Sequence, residues 1–148
     1  KHNSLHLATI GKNGRPESSY APFVTDQKNN FYVFVSTLSG HTFNMMDDGR
    51  AGIMLIESEQ EAENIFARKR VSFECEVETV KKLDGDWSKI MSLFDELDFQ
   101  LMEMLRNFSD FHLLRLVPKN GLFVKGFGNA FEISGSQMDV LTHIKPRK

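Results

Sequence analysis

Cysteine occurs once in this 148-residue chain, as Cys75. A single cysteine excludes an internal disulfide and any cysteine-rich zinc site, and it fits a reducing, cytoplasmic setting. Proline is scarce at four residues, tyrosine occurs twice and tryptophan once. Neither sign of charge dominates: 18 Lys and Arg against 20 Asp and Glu leave a net charge of −2. Such a balance offers no electrostatic footprint for nucleic acid or an anionic membrane. No apolar run approaches the ~20 residues that span a bilayer, and no basic-then-apolar leader opens the sequence. The standard catalytic signatures are missing too. There is no His-x-x-x-His, no Gly-x-Ser-x-Gly elbow and no phosphate loop, which argues against metal hydrolysis, triad chemistry and nucleotide binding in their usual forms.

What is present reads as one domain with a substantial core. Thirteen phenylalanines imply a Phe-packed interior, and seven methionines add deformable filler suited to a core, a dimer seam or a flat macrocycle. Ser4–Ile10 alternates and runs into Gly11-Lys12-Asn13-Gly14, a hairpin signal. Arg15–Thr25 is the return strand, with Pro16 and Pro22 placing it at an edge or a bulge. After a polar turn at Asp26–Asn30, Phe31–Ser36 is an apolar strand. Ser39–Asp48 has helix composition and stops at Gly49. Ala51–Glu57 reads as a buried strand and Glu59–Phe66 as a short acidic helix.

The period-two pattern is clearest in Arg70–Val80, where Val71, Phe73, Cys75 and Val77 oppose Ser72, Glu74, Glu76 and Glu78. Cys75 is then a buried spacer rather than a nucleophile. Asp86–Leu105 carries Trp87, Ile90, Met91, Phe94, Leu97, Leu101 and Met104 at three- and four-residue steps, the pattern of one long helix. The stretch from Asp110 to Phe131 reads as two strands joined by a Pro118-Lys119-Asn120-Gly121 turn. Its second strand contains a Gly126-Phe127-Gly128 break, the mark of a sharp bend or of a ligand pressing on the backbone. Ser134–Lys148 forms a short tail. Short strands at this spacing predict a mainly β fold, a nearly closed antiparallel barrel with a few helices, rather than a parallel α/β fold. The barrel would occupy residues 1–133 and the tail residues 134–148.

Leu7-Ala8-Thr9-Ile10, Gly14-Arg15-Pro16 and Ser18-Ser19-Tyr20-Ala21-Pro22-Phe23 resemble the opening hairpin of the split-barrel proteins related to pyridoxamine 5'-phosphate oxidase. Phe66-Ala67-Arg68-Lys69-Arg70 and Gly121-Leu122-Phe123-Val124-Lys125-Gly126-Phe127-Gly128 narrow the resemblance to heme-utilisation proteins of the HugZ/HutZ type. The resemblance implies an antiparallel FMN-binding-like split barrel that forms a homodimer, with heme at the subunit interface and a ligand-bearing C-terminal tail. It further implies a heme-oxygenase-like reaction that needs an external electron donor. An iron-ligating histidine would come from the tail, and an acid at the position of Asp110 would hydrogen-bond that histidine across the dimer.

Of the five histidines, His143 is the one in the tail and is the expected iron ligand; an exposed tail histidine without a role is the alternative. Arg68 and Arg70 share a face and suit heme propionates or a phosphate, unless they pair with Glu74 and Glu76. Lys125, Gly126, Phe127 and Gly128 would let the macrocycle lie close to a strand. In flavin-binding relatives the loop and helix start around Ser36–Asn44 hold a phosphate, usually with Arg or Lys. Here that segment offers Gly40, His41 and Asn44, which weakens the alternative of an FMN-dependent oxidoreductase. A non-catalytic heme carrier is the other alternative.

Overall fold

The computed structural model describes residues 2–145. Its strands are β1 (Ser4–Ile10), β2 (Pro16–Pro22), β3 (Val24–Thr25), β4 (Phe31–Ser36), β5 (Arg50–Ile56), β6 (Arg70–Val80), β7 (Phe111–Gly126), β8 (Asn129–Ser134) and β9 (Val140–His143). Its helices are α1 (Gly40–Asp48), α2 (Gly85–Asp95) and α3 (Phe99–Leu105). The strands make one nine-stranded antiparallel sheet in the order β2-β1-β5-β6-β7-β4-β3, with β8 on β7 and β9 on β8. The two ends of the main path, β2 and β3, are consecutive in the chain with Phe23 between them, so the sheet rolls into a nearly closed barrel. Among the described helices none is long and apolar enough to cross a membrane.

Period-two alternation sorts the side chains into two apolar layers. Leu5, Leu7, Val33, Val35, Ile53, Cys75, Leu114 and Leu116 fill the barrel. Tyr32, Val80 and Leu113 point the other way and meet Ile90, Met91, Phe94 and Met102 of α2 and α3. The helix layer is pinned by Arg115, which donates to Tyr32 OH (2.9 Å), Glu78 (3.0 Å) and Asp86 (3.0 Å). Tyr32 OH in turn donates to Asp26 at 2.8 Å.

Several sequence expectations are corrected. Pro118–Gly121 is not a turn: β7 runs unbroken for 16 residues. Its first half pairs with β4, its second half with β8, and β6 lies along almost all of it. The register slips between Glu74 and Cys75, where Pro118 and Asn120 oppose consecutive β6 residues and Lys119 is extra. A bulge there accommodates a proline that has no N–H to give the ladder. Gly126-Phe127-Gly128 is likewise no break within a strand; Phe127 and Gly128 are the hairpin turn into β8, with Gly128 at φ 67°.

The long helix is two. Glu96, Leu97 and Asp98 interrupt it, and the Asp98 side chain caps α3 by accepting from Leu101 N at 3.1 Å. An N-cap aspartate starts a new helix in preference to continuing an old one. Leu97, Leu101 and Met104, expected inward, are 40%, 40% and 52% exposed. Glu59–Phe66 is no α-helix; only a 3-10 turn at Ile65–Ala67 forms, with Asn64 accepting from Phe66 N. Glu59 and Glu63 at i,i+4 repel each other and disfavour a helix there. The tail contributes β9, while Pro146, Arg147 and Lys148 lie outside the described residues.

Cys75 is 3% exposed and burial pushes its thiol up to about 12. Because the folded value lies above the unfolded one of 9.0, this contribution to stability is complete below pH 9 and is lost as pH rises toward 12. Native protein at pH 8 should therefore leave Cys75 unlabelled by iodoacetamide, and denaturant should expose one equivalent. Rapid labelling of the native protein would contradict its burial.

Candidate functional site

An open cleft of about 870 Å³ lies on the outer face of the sheet. The strand registers explain its floor. Tyr20, His6, Met54, Ser72, Leu122, Glu132 and Thr142 oppose one another in turn, forming one cross-strand row on one face from β2 to β9. The neighbouring row on that face, Ser18, Ala8, Gly52, Glu74 and Asn120, is built mostly of small residues. Small side chains opposite one another leave the hollow. The sequence offers several of these residues singly, Ala8, Ser18, Tyr20 and Leu122 within the family motifs and Ser72 and Glu74 on one face of a strand, but a row exists only once pairing registers are known.

Arg70 is two residues before Ser72 on β6 and so shares the cleft face. Its Nη1 donates to the Arg68 carbonyl at 3.1 Å. Arg68 donates through Nε (3.1 Å) and Nη2 (2.5 Å) to the Glu57 carbonyl. Neither arginine takes a carboxylate partner among the described residues. The acids weighed against them are engaged elsewhere: Glu74 accepts from Asn120 at 3.0 Å, and Glu76 lies 3.7 Å from Lys119. Two half-buried guanidinium groups, held by carbonyls and not neutralised, retain their capacity for a doubly charged anion, although neither lines the cleft itself.

His143 sits elsewhere. It opposes Phe131, which opposes Phe123, which opposes Val71, so its side belongs to the face opposite Arg70. The ring meets Phe131 edge-on at 5.2 Å. Nε2 lies 3.0 Å from the Gly128 carbonyl and must donate there, which leaves the Nδ1 lone pair free in the neutral ring. Lys125 is the extra residue where the register shifts between Val124 and Gly126. Phe127 is 68% exposed at the adjoining turn. A Cβ on Gly126 or Gly128 would meet open space, so within the chain no close approach requires either glycine for lack of room.

Asp110 lies just before β7, with most of that strand between it and Phe123 in the row of His143. It accepts from Ser36 Oγ through Oδ2 at 2.5 Å, and its carbonyl accepts from Thr37 N at 2.9 Å. A single chain therefore holds Asp110 and His143 apart at opposite ends of β7.

A second cleft, about 560 Å³, opens at the start of α1 and meets the first at Ser18 and Ser19. His41 Nδ1 is 2.8 Å from Ser19 Oγ. Burial lowers the pKa of His41 below its ordinary 6.5 and favours the neutral ring. Asn44 donates to the buried Thr9 hydroxyl at 3.1 Å. Both side chains thus fasten α1 to β1 and β2. The structure brings Arg68 and Arg70 together, brings His143 beside the Lys125–Gly128 turn, and leaves Asp110 with the α1 cleft.

The pyridoxamine 5'-phosphate oxidase family matches residues 1–125. The chain is 37% identical over 145 residues to heme oxygenase HutZ of Vibrio cholerae, covering 98% of this chain and 82% of that one. A crystal structure of HutZ, described as a heme storage protein, superposes with a TM-score of 0.77 at 36% identity, covering 84% of this chain and 87% of that one. Campylobacter jejuni ChuZ gives a TM-score of 0.84 at 32% identity, covering 99% of this chain and 60% of that one. The continuous barrel, the Arg68–Arg70 pair at the head of β6 and this likeness over nearly the whole length agree: the chain belongs to the pyridoxamine 5'-phosphate oxidase-related split barrels, in their HutZ-type heme-utilisation branch.

Proposed function

We propose that this protein binds heme between two copies of itself and degrades it oxidatively, releasing iron. The observation that carries the reading is the pair of arginines without a carboxylate partner, of which Arg70 shares the sheet face that floors a cleft of about 870 Å³, within the ~300–1,000 Å³ range of small-molecule sites. Heme matches that chemistry: a flat apolar macrocycle with two carboxylates on one edge. The likeness to a protein named heme oxygenase supports it.

Arg68 and Arg70 bind the propionates of the substrate. His143 supplies the iron ligand, but from the other subunit, because within one chain it lies on the face opposite Arg70. Ligation through Nε2 requires the ring to leave the Gly128 carbonyl. Nδ1–H then becomes available to donate, and Asp110 of the opposing subunit accepts it through Oδ1, which Ser36 leaves unused. A carboxylate on the far nitrogen fixes the tautomer and strengthens the imidazole as a donor to iron. The iron supplies the site of dioxygen reduction, and the protein supplies binding, orientation and controlled water access. Electrons come from an external donor.

Heme storage without degradation is the second reading, favoured by the description of the HutZ crystal structure. Titration with hemin followed by ascorbate in air separates the two. Degradation predicts a saturable Soret band that then decays while ferrous iron appears in a chelator assay. Storage predicts a band that binds and persists. Absence of saturable binding would sink both.

A further inference from the structure

A split barrel related to pyridoxamine 5'-phosphate oxidase raises the question of a flavin phosphate, and the α1 cleft answers it with the wrong charge. A phosphate dianion needs fixed cations or a free helix N-terminus. None of the residues lining this cleft is Lys or Arg. Burial lowers the pKa of its histidine, His41, and so favours the uncharged ring. Behind Ser36 stands the Asp110 carboxylate, 2.5 Å from the serine hydroxyl.

The remaining attraction is the start of α1, where Ser39 makes no side-chain cap. Here the chain places its own anion. Glu17 comes from β2 across to Gly40, the first residue of α1, where Oε1 lies 3.3 Å from the position a Cβ would take. Its Oε2 lies 2.1 Å from the corresponding position on Gly11, so that glycine leaves room for the carboxylate to fold over it. The first turn of α1 contains no acid of its own. A carboxylate at a helix start is favourable to the helix dipole and repels a second anion.

We propose that Glu17 closes the α1 cleft to phosphate-bearing ligands, and that it is the side chain by which this chain discriminates against flavin mononucleotide. The discrimination concerns a ligand class and a cleft apart from the Arg68–Arg70 pair, and it holds whether bound heme is degraded or stored.

The test titrates FMN, and riboflavin as the uncharged counterpart, into wild type, Glu17→Gln and Glu17→Arg, following flavin fluorescence. Circular dichroism and urea unfolding confirm that the variants fold; Glu17 is exposed and on an edge strand, so both should. Wild type is expected to quench neither flavin saturably. Glu17→Arg should tighten FMN binding by about tenfold or more, Glu17→Gln by less, with riboflavin unchanged, since only the phosphate senses the charge. Saturable FMN binding by wild type would overturn the proposal. So would FMN affinity indifferent to the charge at position 17, or an equal gain for riboflavin.

Discussion

Replacing Arg68 and Arg70 together by alanine should weaken hemin binding roughly 30- to 1,000-fold. Each guanidinium–carboxylate contact is a charge-assisted hydrogen bond of about 1.5–3 kcal/mol, discounted because both arginines are only half-buried and screened by solvent. Two propionates then lose about 2–4 kcal/mol, which converts to that range in Kd. Lysine at both positions should recover only part of it, because a point charge cannot reproduce a planar fork. Arg68 also ties the Glu57 carbonyl, so its loss carries some stability cost; Arg70→Ala alone, whose one hydrogen bond is to the Arg68 carbonyl, isolates the binding effect. Soret titrations of the four proteins measure it. Unchanged affinity in the double variant would remove the propionates from this place.

The second large effect concerns the fold. Gly121→Val should destabilise the protein by about 3 kcal/mol or more, the scale of severe overpacking in a core. A Cβ at this position would stand 2.6 Å from Phe73 Cδ1 and 2.8 Å from the Ser72 carbonyl. The carbonyl is backbone and cannot step aside. The Phe73 ring is itself packed against Phe31 at 5.6 Å. Gly52→Ala is the contrast, since its Cβ would make an ordinary contact at 3.5 Å with the Ala8 side chain. Urea unfolding should show a large loss of midpoint for Gly121→Val and a small change for Gly52→Ala. Similar midpoints for the two would mean that β6 and β7 approach less closely than described.

Local patterns carried much of this molecule. β1 and β6 follow from alternation and β4 from its apolar run, all with their boundaries intact, and Gly49 stops α1 through its left-handed backbone, at φ 80°. Failures arose where a local signal met a tertiary demand. Pro118 and Gly121 look like a turn because both residue types break strands. In the fold, Pro118 is absorbed by a bulge and Gly121 by the ring of Phe73, so the 16-residue strand continues. Asp98 belongs to a residue type that caps helices, and the apolar periodicity running through it concealed the break.

The candidate site divides in the same way. Arg68, Arg70, Asp110 and His143 could be singled out from resemblance and residue type. That Arg70 and His143 lie on opposite faces required the registers of four strands. Glu17 gave no signal at all, since its proximity to Gly40 depends on how β2 packs beside α1.

The most direct test of the account mixes two disabled proteins. In one, Arg68 and Arg70 are alanine; in the other, His143 is alanine. Each alone should fail to form tightly held, histidine-coordinated heme. If every site takes its arginines from one subunit and its histidine from the other, a mixed dimer contains one intact site and one doubly defective one. After unfolding and refolding together, random pairing should restore the coordinated Soret band at about a quarter of all sites. A mixture with no more coordinated heme than the separate variants would contradict the shared site and place both ligands within one chain.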